Sequence, residues 1–214
     1  MSPLDVFAVL VSMMSPLEAF AVLVSILGVS LTIRRSIWCW MVNLVAVSLY
    51  AYLFYEVKLY GEVILQTIFM GMNVYGFYHW SQAKQHDHEI RIAVLGMPKA
   101  LLQIGMAVVG GLAFGSILHF FTDAAVPFLD AQLAAFSLLG TYWTSQKHIA
   151  TWMLWVVVDI IYVGMFSYKE LYLTAVLYGL FVGLAGFGWW QWLQVKNKQQ
   201  GQQQSKALKY NAEI

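Results

Sequence analysis

The sequence predicts an all-α integral membrane protein: seven transmembrane helices, arranged as two parallel three-helix repeats joined by a linker helix. Three observations carry that expectation. Of the 214 residues, 60% are hydrophobic and only 11% charged, more apolar surface than the polar residues of a soluble domain can cover. The apolar residues fall into long runs, at about 17–33, 37–55, 60–80, 98–120, 129–144, 149–168 and 171–193. The second half of the chain also repeats the first at one constant offset.

Each run is close to the ~20 apolar residues that a helix needs to cross a bilayer. They are too long and too continuously apolar for barrel strands, and a spanning backbone must satisfy its own polar groups, so they are read as helices. The punctuation between them is short: Arg34-Arg35, Glu56-Val57-Lys58, Gln146-Lys147-His148 and Lys169-Glu170, with one longer polar connection from Ser81 to Arg91. Connections this tight join antiparallel neighbours.

The first run has an unusual prelude. Residues 1–13 are nearly repeated by residues 14–26, which reads as a start-site or duplication artefact. Pro3 and Pro16 both suit a helix start, so the spanning helix is expected to begin again at Pro16. The first copy is too short to span and would lie along the interface. No basic stretch precedes it, so the first span is expected to serve as its own membrane signal. The single cysteine, Cys39, sits inside an apolar run and leaves no disulfide framework or thiolate metal site. A net charge of +1 gives no reason to expect a nucleic-acid partner.

Basic residues set the orientation. Of the twelve, Arg34, Arg35, Lys84, Arg91, Lys99, Lys147, Lys196, Lys198, Lys206 and Lys209 fall on one side, and only Lys58 and Lys169 on the other. That bias puts the C-terminus in the cytoplasm and the N-terminus outside. The chain divides into an extra N-terminal segment (1–14), a first repeat (15–82), a cytoplasmic connection and linker helix (83–126), a second repeat (127–194) and a Gln- and Lys-rich tail (195–214) expected to be disordered.

The repeat runs without gaps at an offset of 112 residues. It pairs Ser25 with Ser137, Gly28 with Gly140, Thr32 with Thr144, Trp40 with Trp152, Tyr50 with Tyr162, Gly76 with Gly188 and Trp80 with Trp192. Matched leucines are cheap in apolar sequence; matched tryptophans, tyrosines and glycines at one offset are not. A three-helix unit followed by a single linker returns in the same orientation, so the pseudo-two-fold axis runs along the membrane normal, as in parallel-repeat transporters. A solute site between two equivalent bundles, reached alternately from either side, is the function this architecture suggests.

Polar groups inside a span are expensive and mark function. On helical spacing, the second span aligns Trp40, Asn43 and Tyr50, and the sixth aligns Trp152, Trp155, Asp159 and Tyr162. The third carries Gln66, Phe69, Asn73 and Trp80, answered in the seventh by Tyr178, Phe181, Trp189 and Trp192. The candidate solute-binding residues are therefore Asn43, Gln66, Asn73, Trp155, Asp159, Tyr162, Tyr178 and Trp189. The amides also suit helix-to-helix bonding. Trp40, Trp80, Trp152 and Trp192 lie near span ends, where interfacial aromatic belts are expected; Trp155 and Trp189 lie deeper and suit stacking on a flat, cationic ring. His86 and His88 beside Asp87 read as a solvated loop, and no catalytic triad, HExxH helix or phosphate-cradling loop is present, so no enzyme, cofactor or metal site is expected. With Asp159 nearly alone among the spans, no proton relay is evident and passive facilitated diffusion fits better than proton coupling.

From the first full span through Trp192 the chain resembles the Pnu-type vitamin transporters, whose best-known members carry nicotinamide riboside. The resemblance rests on Trp40-x-x-Asn43, on Leu59-Tyr60 followed by Gln66, Phe69, Asn73, Gly76 and Trp80, and on Trp152-x-x-Trp155 with Asp159, Tyr162 and Leu171-Tyr172. It departs at Asp159, where relatives often carry Asn. It implies a three-plus-one-plus-three, full-length SWEET-like fold, homotrimeric, in a bacterial inner membrane. It also implies facilitated diffusion of nicotinamide riboside, sustained by intracellular phosphorylation of the solute. Thiamine or riboflavin transport is the near alternative. A sugar carrier is weaker, because sugar alone needs fewer deep tryptophans, and a non-transporting seven-helix receptor has no use for the repeat.

Overall fold

The computed structural model describes residues 15–56, 58, 60–87, 90–122, 126–168 and 172–212. The described residues form seven helices: α1 (Pro16–Ile33), α2 (Trp38–Glu56), α3 (Tyr60–Asp87), α4 (Met97–Phe121), α5 (Pro127–Ser145), α6 (Ala150–Tyr168) and α7 (Tyr172–Ala212). The nearly duplicated residues 1–14 lie outside them. Helix α1 does begin at Pro16: the Ser15 hydroxyl accepts from the Glu18 N–H at 3.1 Å, and the Glu18 carboxylate accepts from the Ser15 N–H at 2.7 Å. This reciprocal box, with Pro16 in the first turn, satisfies donors that would otherwise be orphaned.

Among the described residues, five helical segments are long and apolar enough to cross a membrane: Pro16–Ile33, Trp38–Glu56, Met97–Phe121, Ala150–Tyr168 and Thr174–Gln202. The sequence predicts seven spans. The two that fall short are α3 and α5, which carry Gln66, Thr67 and Asn73, and Asp130, Gln132 and Thr141 respectively. Beyond Trp192, α7 continues as helix to Ala212, where composition predicts a disordered tail. Gln, Lys and Ala are strong helix formers, and the helix is already nucleated by the apolar part of α7.

The 112-residue offset reappears in the backbone. In the α1–α2 turn, the N–H groups of Arg34, Arg35, Ser36, Cys39 and Trp40 donate to Ser30, Thr32, Leu31, Ser36 and Ile37. In the α5–α6 turn, those of Gln146, Lys147, His148, Thr151 and Trp152 donate to Tyr142, Thr144, Trp143, His148 and Ile149. The two turns thus match bond for bond. Arg35 and Lys147 also share a left-handed conformation, with φ of 57° and 61°. The Thr32 hydroxyl donates to the Gly28 carbonyl and the Thr144 hydroxyl to that of Gly140, each at 2.9 Å. Helix α1 packs on α2 as α5 packs on α6, and α2 on α3 as α6 on α7; α3 meets α5 and α7 meets α1 across the halves, while α4 packs on α5.

Four tryptophans form the centre of the core. Trp40, Trp80, Trp152 and Trp192 are at most 3% exposed, so the expectation of an interfacial belt fails for all four. Trp40 meets Trp80 edge-on at 5.4 Å, Trp152 meets Trp192 edge-on at 5.4 Å, and Trp80 and Trp192 face each other at 6.4 Å. Glycine explains their burial: a Cβ on Gly76 would collide with the Trp40 ring, and one on Gly188 would lie 2.6 Å from that of Trp152. The Trp80 indole N–H donates to Thr144 and Ser145 carbonyls at 3.2 and 3.0 Å, and that of Trp192 to the Ile33 carbonyl at 3.1 Å. Those carbonyls are ones that the ends of α5 and α1 leave without a helical partner. Each half therefore caps the other.

His148 closes the α5–α6 turn, and burial is the main cause that holds its imidazole below its usual value near 6.5, with Lys99 and Lys147 adding repulsion against a backbone bond at Ala93. A lowered value means that the unfolded chain binds the proton more readily, so the stability this group contributes is complete above its usual range and is lost as pH falls below it. Thermal unfolding between pH 7 and pH 5 is accordingly expected to show a smaller loss of stability in His148→Gln than in the parent. An unchanged slope would contradict this.

Candidate functional site

The second half brings four of the predicted residues together. Trp155, Asp159 and Tyr162 rise along α6 at helical spacing, and Tyr178 of α7 stacks on Tyr162 with ring centroids 4.4 Å apart. Phe166 extends the stack, 5.8 Å from Tyr162 and 5.3 Å from Tyr178, and Phe181 meets Tyr178 edge-on at 6.0 Å. Asp159 is 5% exposed. Among the described residues it forms no ion pair, and it lies near both Tyr162 and Tyr178. Glu62 of α3 also lies near the same two tyrosines, and Asp130 of α5 near Tyr162. The result is an aromatic wall with acidic side chains around it. Sequence reasoning missed Phe166, one turn beyond Tyr162, and Glu62, an exposed charge in the first turn of α3.

In the first half Asn43 is half-buried at the position equivalent to Trp155. Both are seated on glycine: a Cβ on Gly28 would collide with the Asn43 carboxamide, and one on Gly140 would come within 3.0 Å of the Trp155 ring. The repeat pair Gly28/Gly140 was the signal for this seat. Gly28→Ala is expected to displace Asn43 and weaken solute binding about tenfold, with little further effect once Asn43 is already Ala, because contacting residues couple and distant ones do not. Equilibrium binding of the two single variants and the double variant checks it; fully additive losses would refute the seat. Gly71, Gly183 and Gly186, by contrast, have no neighbour within 4 Å of an added Cβ.

The remaining candidates are less engaged. Asn73 is 4% exposed and gives one N–H to the Phe69 carbonyl at 2.8 Å, leaving its oxygen and second N–H. Gln66 is half-buried on α3. Trp189 is 41% exposed, at the edge of the α7 face buried by Ala185 and Trp192; it is not in ring contact with Trp155 among the described residues. An apolar groove of about 620 Å³ lies on α4, lined by Leu101, Leu102, Gly105, Met106, Val109 and Gly110. None of the candidate site residues borders it.

A membrane bundle whose two halves carry one architecture, with amides in one and an aromatic, carboxylate-bearing wall in the other, defines a multi-pass solute transporter. The chain belongs to the nicotinamide mononucleotide transporter family, whose model matches residues 15–194. It is similar to the nicotinamide riboside transporter PnuC of Escherichia coli, 29% identical over 175 residues that cover 69% of this chain and 73% of that protein. It is also similar to the riboflavin/roseoflavin transporter RibM of Streptomyces davaonensis, 23% identical over 75% of this chain and 78% of that one. Among solved structures it superposes on the crystal structure of the vitamin B3 transporter PnuC with a TM-score of 0.71, at 25% identity, over 91% of this chain and 88% of the other.

Proposed function

We propose that this transporter carries nicotinamide riboside by facilitated diffusion, through alternating access between two parallel three-helix units joined by α4 in the full-length SWEET-like manner. The observation that supports the substrate is the set of acidic side chains, Asp159 and Glu62, around the Tyr162–Tyr178 stack. A pyridinium ring is flat and cationic, so it gains from aromatic faces and carboxylates together. Trp155 would stack the ring, Asp159 with Glu62 would balance its charge, and Tyr162 and Tyr178 would wall it. Asn43, Gln66 and Asn73 would meet the carboxamide and ribose hydroxyls. Trp189 stays outside this site.

The mononucleotide in the family's description fits the site less well. A phosphate adds a dianion beside Asp159 and Glu62, and neither Lys nor Arg occurs between Ala100 and Gln146, or from Ile37 to Val57. Riboflavin has RibM in its favour but makes no use of the carboxylates. Uptake without an ion gradient is sustained if the solute is phosphorylated inside, and the turn end bearing Arg35 and Lys147 faces the cytoplasm, in an inner-membrane homotrimer. Quenching of tryptophan fluorescence tests the choice of ligand. Nicotinamide riboside is expected to bind at least about tenfold more tightly than its mononucleotide, as like charge in a site of low dielectric costs more than 1.4 kcal/mol. Equal or tighter binding of the mononucleotide would sink the assignment.

A further inference from the structure

One segment breaks the two-fold pattern, and it lies across the end of the bundle beneath the four tryptophans. Residues 90–93, between α3 and α4, are extended and tied to three separate elements. The Arg35 guanidinium, in the α1–α2 turn, donates to the Ile90 carbonyl at 3.1 Å. The Ile92 N–H donates to the Gln199 side-chain oxygen of α7 at 3.2 Å. Ala93 pairs with the α5–α6 turn: its N–H donates to the Lys147 carbonyl at 2.9 Å, and its carbonyl accepts from the Ile149 N–H at 3.1 Å. The Ile90 side chain is 7% exposed and packs into the same cluster as Cys39 and the four tryptophans.

Shifted by 112, these residues correspond to 202–205, which lie inside α7. The strap therefore has no counterpart in the other half. It joins the turn of the first half to the turn of the second, and it plugs the space between them with an isoleucine. Two rigid bundles cannot separate at this end while the strap holds both turns.

We propose that residues 90–93 form a latch over this mouth, so that Arg35, Ile90 and Gln199 govern how often the end opens and releases solute. The proposal rests on the alternating-access reading but not on the identity of the solute. Loosening the ties raises the fraction of molecules open at this end, in proportion to the free energy removed. The opposite end is left as it was.

Cys39 provides the readout, because it is fully buried in the cluster under the strap and is the only cysteine of the chain. The full-length protein in detergent micelles, without solute, is treated with N-ethylmaleimide, and modification is followed by mass. Gln199→Ala and Arg35→Gln are each expected to speed modification of Cys39 by about fivefold or more, since exposure through local opening scales with the open population. Lys58→Ala, at the far end, is expected to leave it unchanged. Gln199→Ala alters only a partly exposed side chain and decides the matter if Arg35→Gln fails to fold. Wild-type rates in the strap variants would overturn the latch, as would equal acceleration by Lys58→Ala, which would mean general loosening. Because no solute is present, neither result bears on whether nicotinamide riboside is the substrate.

Discussion

Trp155→Ala is expected to weaken nicotinamide riboside binding by about tenfold to a hundredfold, the loss of one stacked aromatic face over a cation in a partly desolvated site. Trp155→Phe keeps a ring on the same α6 position and is expected to lose much less, on the order of threefold. The comparison separates stacking from packing. Trp155 also fills the space over Gly140, with ring atoms 3.0 to 3.2 Å from where a Cβ would lie, so its removal leaves a gap between α5 and α6. If the effect were only that gap, both variants would melt lower and bind in proportion; a loss of binding far larger in Ala than in Phe, at similar melting temperatures, marks the ring as a contact. Equal binding by Ala and the parent would remove Trp155 from the site.

Two tryptophans three residues apart on α7 are expected to behave oppositely. Trp192 is 0% exposed, edge-on to Trp152, with its N–H on the Ile33 carbonyl. Trp192→Ala opens a large cavity at the meeting of the two halves and orphans that carbonyl, a cost of about 3–5 kcal/mol for a core tryptophan. Trp189 is 41% exposed, and Trp189→Ala is expected to shift stability by no more than about 0.5 kcal/mol, as surface changes do. Melting in one detergent, by loss of monodisperse protein, reads both. A milder Trp192→Phe keeps a ring but loses the hydrogen bond and part of the packing, at about 1–3 kcal/mol.

Much of the fold was legible because the bilayer demands it: apolar runs of fixed length admit only helices, and the start of α1 is spelled out by Ser15, Pro16 and Glu18. The repeat was legible because Trp, Tyr and Gly are rarely matched by chance, and the structure adds that its two turns share their hydrogen bonds. The four core tryptophans were misplaced for a physical reason. Distance along a span predicts depth in the membrane, but burial depends on what stands opposite, and Gly76 and Gly188 open space for Trp40 and Trp152 that no single helix reveals. Helix α7 beyond Trp192 was misjudged because polarity was read as disorder, although its residues favour helix. Spacing on one face of α6 picks out Trp155, Asp159 and Tyr162, and the structure stacks Tyr178 of α7 on Tyr162. Trp189 shares the α7 stripe by spacing, yet it is 41% exposed where Trp192 is fully buried, because spacing does not tell the centre of a stripe from its rim. The strap could not be read at all, since residues 90–93 have no pattern of their own and gain meaning only from the two turns they join.

The most direct measurement is uptake by liposomes containing the purified protein, with no ion gradient imposed, offered radiolabelled nicotinamide riboside, its mononucleotide, thiamine and riboflavin in separate experiments. Nicotinamide riboside should equilibrate across the membrane, and the mononucleotide and riboflavin should not. Equilibration of another of these solutes in its place, or movement of nicotinamide riboside only when an ion gradient is applied, would contradict facilitated diffusion of this substrate.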